Sequence, residues 1–194
     1  MARGSPTRIS VREARFRARR IRLVLADCDG VLTDTGVYYA ESGELMKRFS
    51  IRDGMGVERL RQAGIESGIV SGELSPSISR RAEKLSIPHV LIGAKDKRAA
   101  VEALCARHGF RLAELAYIGD DVNDLEVLEA VGAHGLTGAP LDAVPEVAAR
   151  VHHRGRVRAG QGALRDFAEW ILALREDGRP RPVTAGARPG GRRR

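Results

Sequence analysis

The sequence predicts an α/β domain with a mainly parallel sheet covered by helices on both faces, a three-layer sandwich, and three observations carry that prediction. Apolar runs of strand length alternate with segments of helical periodicity from about residue 21 to residue 175. Glycines and helix-capping residues punctuate the alternation. Polar residues of complementary chemistry gather just after the predicted strands, where sheets of this kind present their ligand crevice.

The elements follow in order. "IRLVLAD" is an apolar strand, and "GVYYAESGELMKRFS" reads as two short strands around a turn at Glu41 to Glu44, a hairpin leaving the end of the first strand. "DGMGVERLRQAG" is helical and closes on Gly64. "IESGIVSG" is the next strand, and "SPSISRRAEKLS" is a helix with Ser75 at the N-cap and Pro76 in the first helical position. Then come "PHVLIG" as strand, "DKRAAVEALCARHG" as helix, "LAYIGDD" as strand, "NDLEVLEAVG" as helix and "AHGLTG" as a short strand. Residues 162–175 make a terminal amphipathic helix.

A chain of 194 residues is sized for one domain. Its net charge of +8 suggests nucleic-acid binding until it is located. Residues 1–22 carry +7 and residues 175–194 carry +5, which leaves the body between them at −4. The basic character belongs to the ends, so nucleic-acid contact is limited to weak, salt-sensitive binding through them. Residues 1–19 read as a flexible basic arm, 20–175 as the folded domain, and 176–194 as a disordered tail rich in Arg, Gly and Pro. No apolar run approaches the length of a membrane span, and Cys28 and Cys105 have neither metal-ligand spacing nor a disulfide framework. A cytoplasmic location is expected.

Asp27 and Asp29 end the first strand, Ser71 and Gly72 the second, Lys97 follows the third, and Asp120 and Asp121 follow the fourth. Side chains two apart on extended backbone point the same way, so Asp27 and Asp29 can converge before Gly30 releases the chain. Adding Asp120 or Asp121 gives a self-repelling cluster of carboxylates that calls for a hard divalent cation such as Mg2+. Opposite stand a hydroxyl at Ser71, exposed backbone at Gly72 and the ammonium of Lys97, a set suited to a phosphoryl group. Asp27 can then attack phosphorus, while Asp29 gives the leaving oxygen a proton and later takes one from water. Asp34, past the turn, shapes the hairpin base.

Each signal alone is weak: a DxD or GDD is commonly a polar turn, and a lysine at a helix start is commonly a surface cation. Their joint order carries the argument. Receiver domains of signalling proteins assemble similar groups on a similar sheet, but with the lysine last, whereas here Lys97 precedes Asp120 and Asp121. A related regulatory or interaction domain without activity is disfavoured because every motif is intact.

The four ordered segments "DCDGVLTD", "IVSG", Lys97 and "YIGDDVND" resemble the motifs of the haloacid dehalogenase superfamily of phosphohydrolases. "DGVLTDTGVYYAESGELMKRFSIRDGMGV" and "GQGALRD" are similar to its capless branch acting on 3-deoxy-2-keto sugar-acid phosphates, octulosonate 8-phosphates and nonulosonate 9-phosphates. The likeness covers about residues 20 to 172. It implies a Rossmann-like capless fold with a small β-hairpin flap, and an Mg2+-dependent phosphatase working through an aspartyl-phosphate. Asp27 would be nucleophile and Asp29 general acid/base. Ser71, Gly72 and Lys97 would hold phosphate, and Asp27, Asp120 and the backbone carbonyl of Asp29 would hold the metal. Asp121 and Asp124 would orient the water shell or neighbouring loops. Ser50, Arg52, Asp53, Gly54 and Arg81 match substrate positions, and the hairpin would assemble a homotetramer in which a neighbouring subunit closes each site. Biosynthesis of lipopolysaccharide or of sialic-acid-type sugars is the implied setting.

Two residues depart from the octulosonate pattern. Glu73 and Glu58 stand where that pattern has arginine, a charge reversal that should alter which sugar acids are accepted. Glu73 followed by "RRAEK", with Lys84 on that helix, looks instead like the nonulosonate branch, so the octulosonate substrate is not expected to be strongly preferred.

Overall fold

The structure is a computed structural model that describes residues 9–176. The readings for the outermost part of the basic arm and for the tail beyond Glu176 fall outside the described residues. In chain order the elements are α1 (Val11–Ala18), β1 (Leu23–Asp27), β2 (Val37–Ala40), β3 (Gly43–Lys47), α2 (Ile51–Gln62), β4 (Glu66–Val70), α3 (Pro76–Leu85) and β5 (His89–Leu91). They continue with α4 (Lys97–His108), β6 (Leu115–Ile118), α5 (Leu125–Gly132), β7 (Leu136–Ala139), α6 (Pro145–Ala148), β8 (His153–Arg154) and α7 (Ala163–Glu176).

The main sheet has six strands in the order β5-β4-β1-β6-β7-β8, and every pairing in it is parallel. The chain winds outward from β1 through β4 to β5, then crosses back to β6 on the other side. That reversal flanks β1 and opens a crevice at its carboxyl end, the switch point where sheets of this kind place their ligands. The strand is apolar because both its faces are covered. Leu23 and Leu25 join the core under α4 and α5 with Val101, Leu104, Leu128 and Val131, while Val24 and Ala26 join the core under α2, α3 and α7 with Leu60, Ile78, Phe167 and Ile171.

The hairpin β2-β3 is a separate two-stranded antiparallel unit, with a register shift at Tyr38/Tyr39. At its base Arg48 donates to Asp34 Oδ2 from both Nε and Nη2, at 2.9 and 2.6 Å, which gives Asp34 the bracing role expected of it. Helix α2 begins two residues earlier than the periodicity suggests, because Ser50 caps it by accepting from the Arg52 amide at 3.2 Å.

The arm expected over 1–19 needs correction where it is described. Residues 11–18 form a helix capped by Ser10, whose Oγ accepts from the Glu13 amide. Ala14 and Ala18 are buried, and Arg17 Nη1 donates to the carbonyls of Gly132 and Gly135 at 2.8 and 3.0 Å. The first carbonyl ends α5 and the second lies in the turn before β7, so this arginine ties down a helix C-terminus and is not part of a solvent-facing arm. The short elements α6 and β8 also escaped the sequence pattern. Among the described residues no helix is long and apolar enough to cross a membrane.

Candidate active site

The crevice beyond β1 receives Asp27 from that strand, Lys97 from the first position of α4, and Asp120 and Asp124 from the turn after β6. Lys97 is 3 % exposed. Its Nζ lies 3.0 Å from Asp27 Oδ1 and 2.7 Å from Asp124 Oδ1. Burial lowers the lysine's proton affinity, but Asp27 and Asp124 outweigh it and hold the ammonium above the ordinary lysine value.

Asp124 is saturated by its scaffold. Oδ1 accepts from Lys97 and from Tyr117 Oη at 2.7 Å, and Oδ2 accepts from the amides of Asp120 and Asp121 at 3.1 and 3.5 Å. It fixes the loop that presents Asp120, as the sequence reading allowed. Asp121 itself is exposed and caps the turn by accepting from the Val122 amide.

Asp27, Asp120 and Asp124 each offer a carboxylate oxygen, all within 4.8 Å of one another. Burial followed by Asp124 pushes Asp27 up to about 7, and burial followed by Asp27 and Asp124 pushes Asp120 up to about 8. Such a group ionises fully at neutral pH only against added positive charge. The donor set fits a hard divalent ion. Asp120 Oδ1 is buried without a partner, and a Cβ at Gly30 would come within 1.9 Å of Asp120 Oδ2. Glycine at 30, with φ +99°, is thus what admits Asp120 to the cluster.

Asp29 stands apart from that carboxylate cluster. Its Oδ1 accepts from Thr33 Oγ1 at 3.2 Å and from Lys47 Nζ at 2.6 Å, while Oδ2 is buried without a partner. Lys47 is the functional residue that sequence reasoning missed. It sits at the end of β3 with its side chain buried, 3.8 Å from Glu44, which in turn accepts from Ser75 and Ser77 at the start of α3 at 2.5 and 2.9 Å. The hairpin therefore anchors the proposed proton carrier. The only sequence signal was position: alternation along β3 turns Lys47 toward the body of the protein.

Ser71 is buried, and its Oγ accepts from the Glu73 amide at 3.1 Å, leaving the hydroxyl proton free to donate. Gly72 follows it on the same loop.

The residues matched to substrate positions divide. Arg52 is exposed and packs across Gly162, where a Cβ would meet it at 3.2 Å. Ser50 contributes a helix cap, and its carbonyl accepts from Arg81 Nη2 at 2.8 Å, with Arg81 also lying over the Phe49 ring. Gly54 makes room for Arg81 and Leu85. Asp53 turns inward: it is 3 % exposed, Oδ1 accepts from the Arg165 amide at 3.1 Å at the start of α7, and burial pushes it up to about 6 against the hydrogen bonds of that helix end. Asp53 and Arg81 thus brace α2, α3 and α7 against one another. Glu58 pairs with Arg61 along α2 at 2.5 Å. Glu73 pairs with Lys95 at 3.4 Å, and Lys84 is exposed on α3. Among the described contacts Glu73 and Lys84 do not meet.

Carboxylates facing a buried lysine at the switch point of a parallel sheet define a phosphoryl-transfer class, and comparison with known proteins agrees. A family model described as haloacid dehalogenase-like hydrolase matches residues 88–153. The 3-deoxy-D-manno-octulosonate 8-phosphate phosphatase KdsC of Yersinia pestis is 36 % identical over 160 residues, 82 % of this chain and 84 % of that protein. The chain therefore belongs to the haloacid dehalogenase superfamily, and it is a phosphatase. Among solved structures, the octulosonate 8-phosphate phosphatase of Moraxella catarrhalis, in complex with magnesium, phosphate and KDO, is 32 % identical with a TM-score of 0.79, covering 87 % of this chain and 95 % of that one. The cobalt-bound enzyme of Haemophilus influenzae is 35 % identical with a TM-score of 0.77, covering 82 % and 91 %.

Proposed function

We propose that the chain removes the terminal phosphate of a 3-deoxy-2-keto sugar acid, with octulosonate 8-phosphate as the first reading. The observation that carries the chemistry is Asp27, a buried carboxylate held 3.0 Å from Lys97 at the end of the central strand. The likeness to the Yersinia and Moraxella phosphatases supports the substrate.

Asp27 attacks phosphorus and forms an aspartyl-phosphate as the sugar oxygen departs, and Asp29 gives that oxygen its proton. Water then attacks the acyl phosphate, Asp29 takes the water's proton, and inorganic phosphate leaves with Asp27 restored. Lys97 has three N–H groups, two of them directed to Asp27 and Asp124, so the third is available to a phosphoryl oxygen. The Ser71 hydroxyl and the Gly72 amide serve the remaining oxygens. A Mg2+ ion, which Asp27, Asp120 and the Asp29 carbonyl would hold, supplies the positive charge that lets a carboxylate approach a phosphate dianion.

Glu73 favours a second reading, a nonulosonate 9-phosphate, because it places a carboxylate where the octulosonate pattern has arginine. Initial rates on both sugar-acid phosphates with Mg2+ test the choice. We expect kcat/KM values within a hundredfold of each other, about 2.7 kcal/mol. A larger preference for the octulosonate ester would remove the nonulosonate reading, and phosphate release from neither would sink the substrate class.

The hairpin is the assembly surface of this proposal. It exposes Tyr38, Tyr39, Leu45 and Met46 on a unit too small to be stable alone. A homotetramer in which each hairpin reaches a neighbour's crevice would cover them. Light scattering should give the tetramer mass, and a monomer at micromolar concentration would refute it.

A further inference from the structure

We propose that Lys95 is a second cation of the phosphate site, held in readiness by Glu73, and that it draws the substrate's phosphoryl group onto the Ser71–Gly72 loop. The inference rests on assigning that loop to phosphate and adds to it a residue outside the four motifs.

The loops after β4 and β5 are joined by backbone hydrogen bonds. The Ser71 amide donates to the Leu91 carbonyl at 2.7 Å, the Ala94 amide to the Ser71 carbonyl at 2.9 Å, and the Gly93 amide to the Glu73 carbonyl at 3.1 Å. The Lys95 amide donates to the Gly93 carbonyl at 3.0 Å, closing a tight turn. This network sets the backbone of Lys95 beside Gly72. A Cβ at Gly72 would lie 4.0 Å from both Cδ and Nζ of Lys95, so the lysine side chain runs alongside the loop at Gly72.

Glu73 then fixes the end of that side chain, with Oε1 at 3.4 Å from Nζ. Side-chain exposures of 79 % for Lys95 and 62 % for Glu73 decide what the pair is for. Ion pairs in water contribute little net stability, so the fold gains almost nothing from this one. A phosphate ester brings close to two negative charges and several acceptor oxygens, a stronger partner than one solvated carboxylate. The ammonium can therefore leave Glu73 for substrate at small cost.

Lys97 cannot make that move, since it is buried and engaged by Asp27 and Asp124. The two lysines divide the work: Lys97 neutralises the nucleophile, and Lys95 meets the incoming dianion at the rim. Glu73 is neutralised by this pairing in the free protein, and its exposed carboxylate is left to solvent when Lys95 turns to the phosphate. Glu73 is a positioning residue in this account.

Steady-state kinetics of the full-length protein with Mg2+ test the proposal, on octulosonate 8-phosphate and on p-nitrophenyl phosphate at low and high salt. Lys95→Gln is expected to raise KM about tenfold on both esters with kcat within about twofold, and Lys95→Arg should recover most of the loss. The wild-type KM should rise with salt and the Lys95→Gln KM should stay nearly flat, a response that a purely structural role would not produce. Glu73→Gln should raise KM about threefold. Calorimetric titration with inorganic phosphate reads the same tenfold loss for Lys95→Gln without turnover. An unchanged phosphate affinity and KM in Lys95→Gln would overturn the assignment, as would an effect confined to the sugar-acid ester. Failure of the substrate reading shows differently: the wild type would then hydrolyse p-nitrophenyl phosphate and leave octulosonate 8-phosphate intact, with the Lys95 effect still legible on the former.

Discussion

Asp27→Asn should release no measurable phosphate from any ester the wild type hydrolyses, with kcat lower by about 10⁴-fold or more, while the protein stays folded. An amide cannot form the acyl phosphate, so the loss is chemical and not structural. Stability should move the other way. Burial and then Asp124 raise Asp27 to about 7, and burial and then Asp27 and Asp124 raise Asp120 to about 8, so the folded protein keeps protons that an unfolded chain releases near 4. Where the native state binds more protons than the unfolded state, stability falls as pH rises. In chelator, the thermal midpoint should therefore be highest at and below about pH 4 and decline from there through pH 8, as far as these two groups determine it. Asp27→Asn removes one of the two and should flatten that decline, raising the midpoint at pH 8 above the wild type's. Added Mg2+ should stabilise the wild type more at pH 8 than at pH 5, because the metal competes with those protons, and it should stabilise the variant much less. Calorimetric scans at both pH values, with and without Mg2+, check all of this. A midpoint for metal-free wild type that rises from pH 5 to pH 8 would contradict the charge cluster.

What the sequence made legible was whatever repeats locally. Alternating apolar runs marked five of the six strands of the main sheet, because a strand covered on both faces must be apolar throughout. Asp27, Ser71, Lys97 and Asp120 stood out because each follows such a run, and the structure places each at the corresponding strand end or helix start. What escaped was whatever depends on a distant partner. Asp53 matches a substrate position by resemblance, yet its carboxylate caps a helix 112 positions later in the chain. Arg17 reads as part of a basic arm, yet it closes the end of α5, 115 positions on. Lys47 looks like an ordinary cation of an exposed hairpin until folding brings Asp29 to it. Glu73 suggested a substrate contact through its neighbour Lys84, but the loop geometry gives it Lys95, which no helical or strand period could pair with it. Local patterning sets the frame; the charges are assigned by tertiary contact.

Lys97 is where frame and chemistry are hardest to separate, and Lys97→Met should show it. Methionine nearly matches the stem in length, so cavity formation is small and the change is chiefly the loss of a buried cation. That leaves Asp27 facing Asp120 and Asp124 without the ammonium that now lies 3.0 Å from Asp27 and 2.7 Å from Asp124. Removing one partner of a buried pair costs roughly 3–5 kcal/mol. For a domain of this size that lowers the midpoint by roughly 6–20 °C in chelator. Activity should fall to the level of Asp27→Asn, since both the orientation of the nucleophile and a phosphoryl ligand are lost. A double variant, Lys97→Met with Asp124→Asn, separates the two effects. Asp124 would no longer repel Asp27, so part of the lost stability should return. The Asn carbonyl oxygen can still accept from the amides of the Asp120 loop while its NH2 group donates to the Tyr117 hydroxyl oxygen, so the turn should keep its shape. Phosphatase activity should not return with it, because no side chain in the double variant replaces the ammonium at the phosphoryl group. Recovery of stability together with turnover would mean that Lys97 serves only to hold the fold, and a single variant that melts within about 2 °C of wild type would mean that the carboxylates do not depend on it at all.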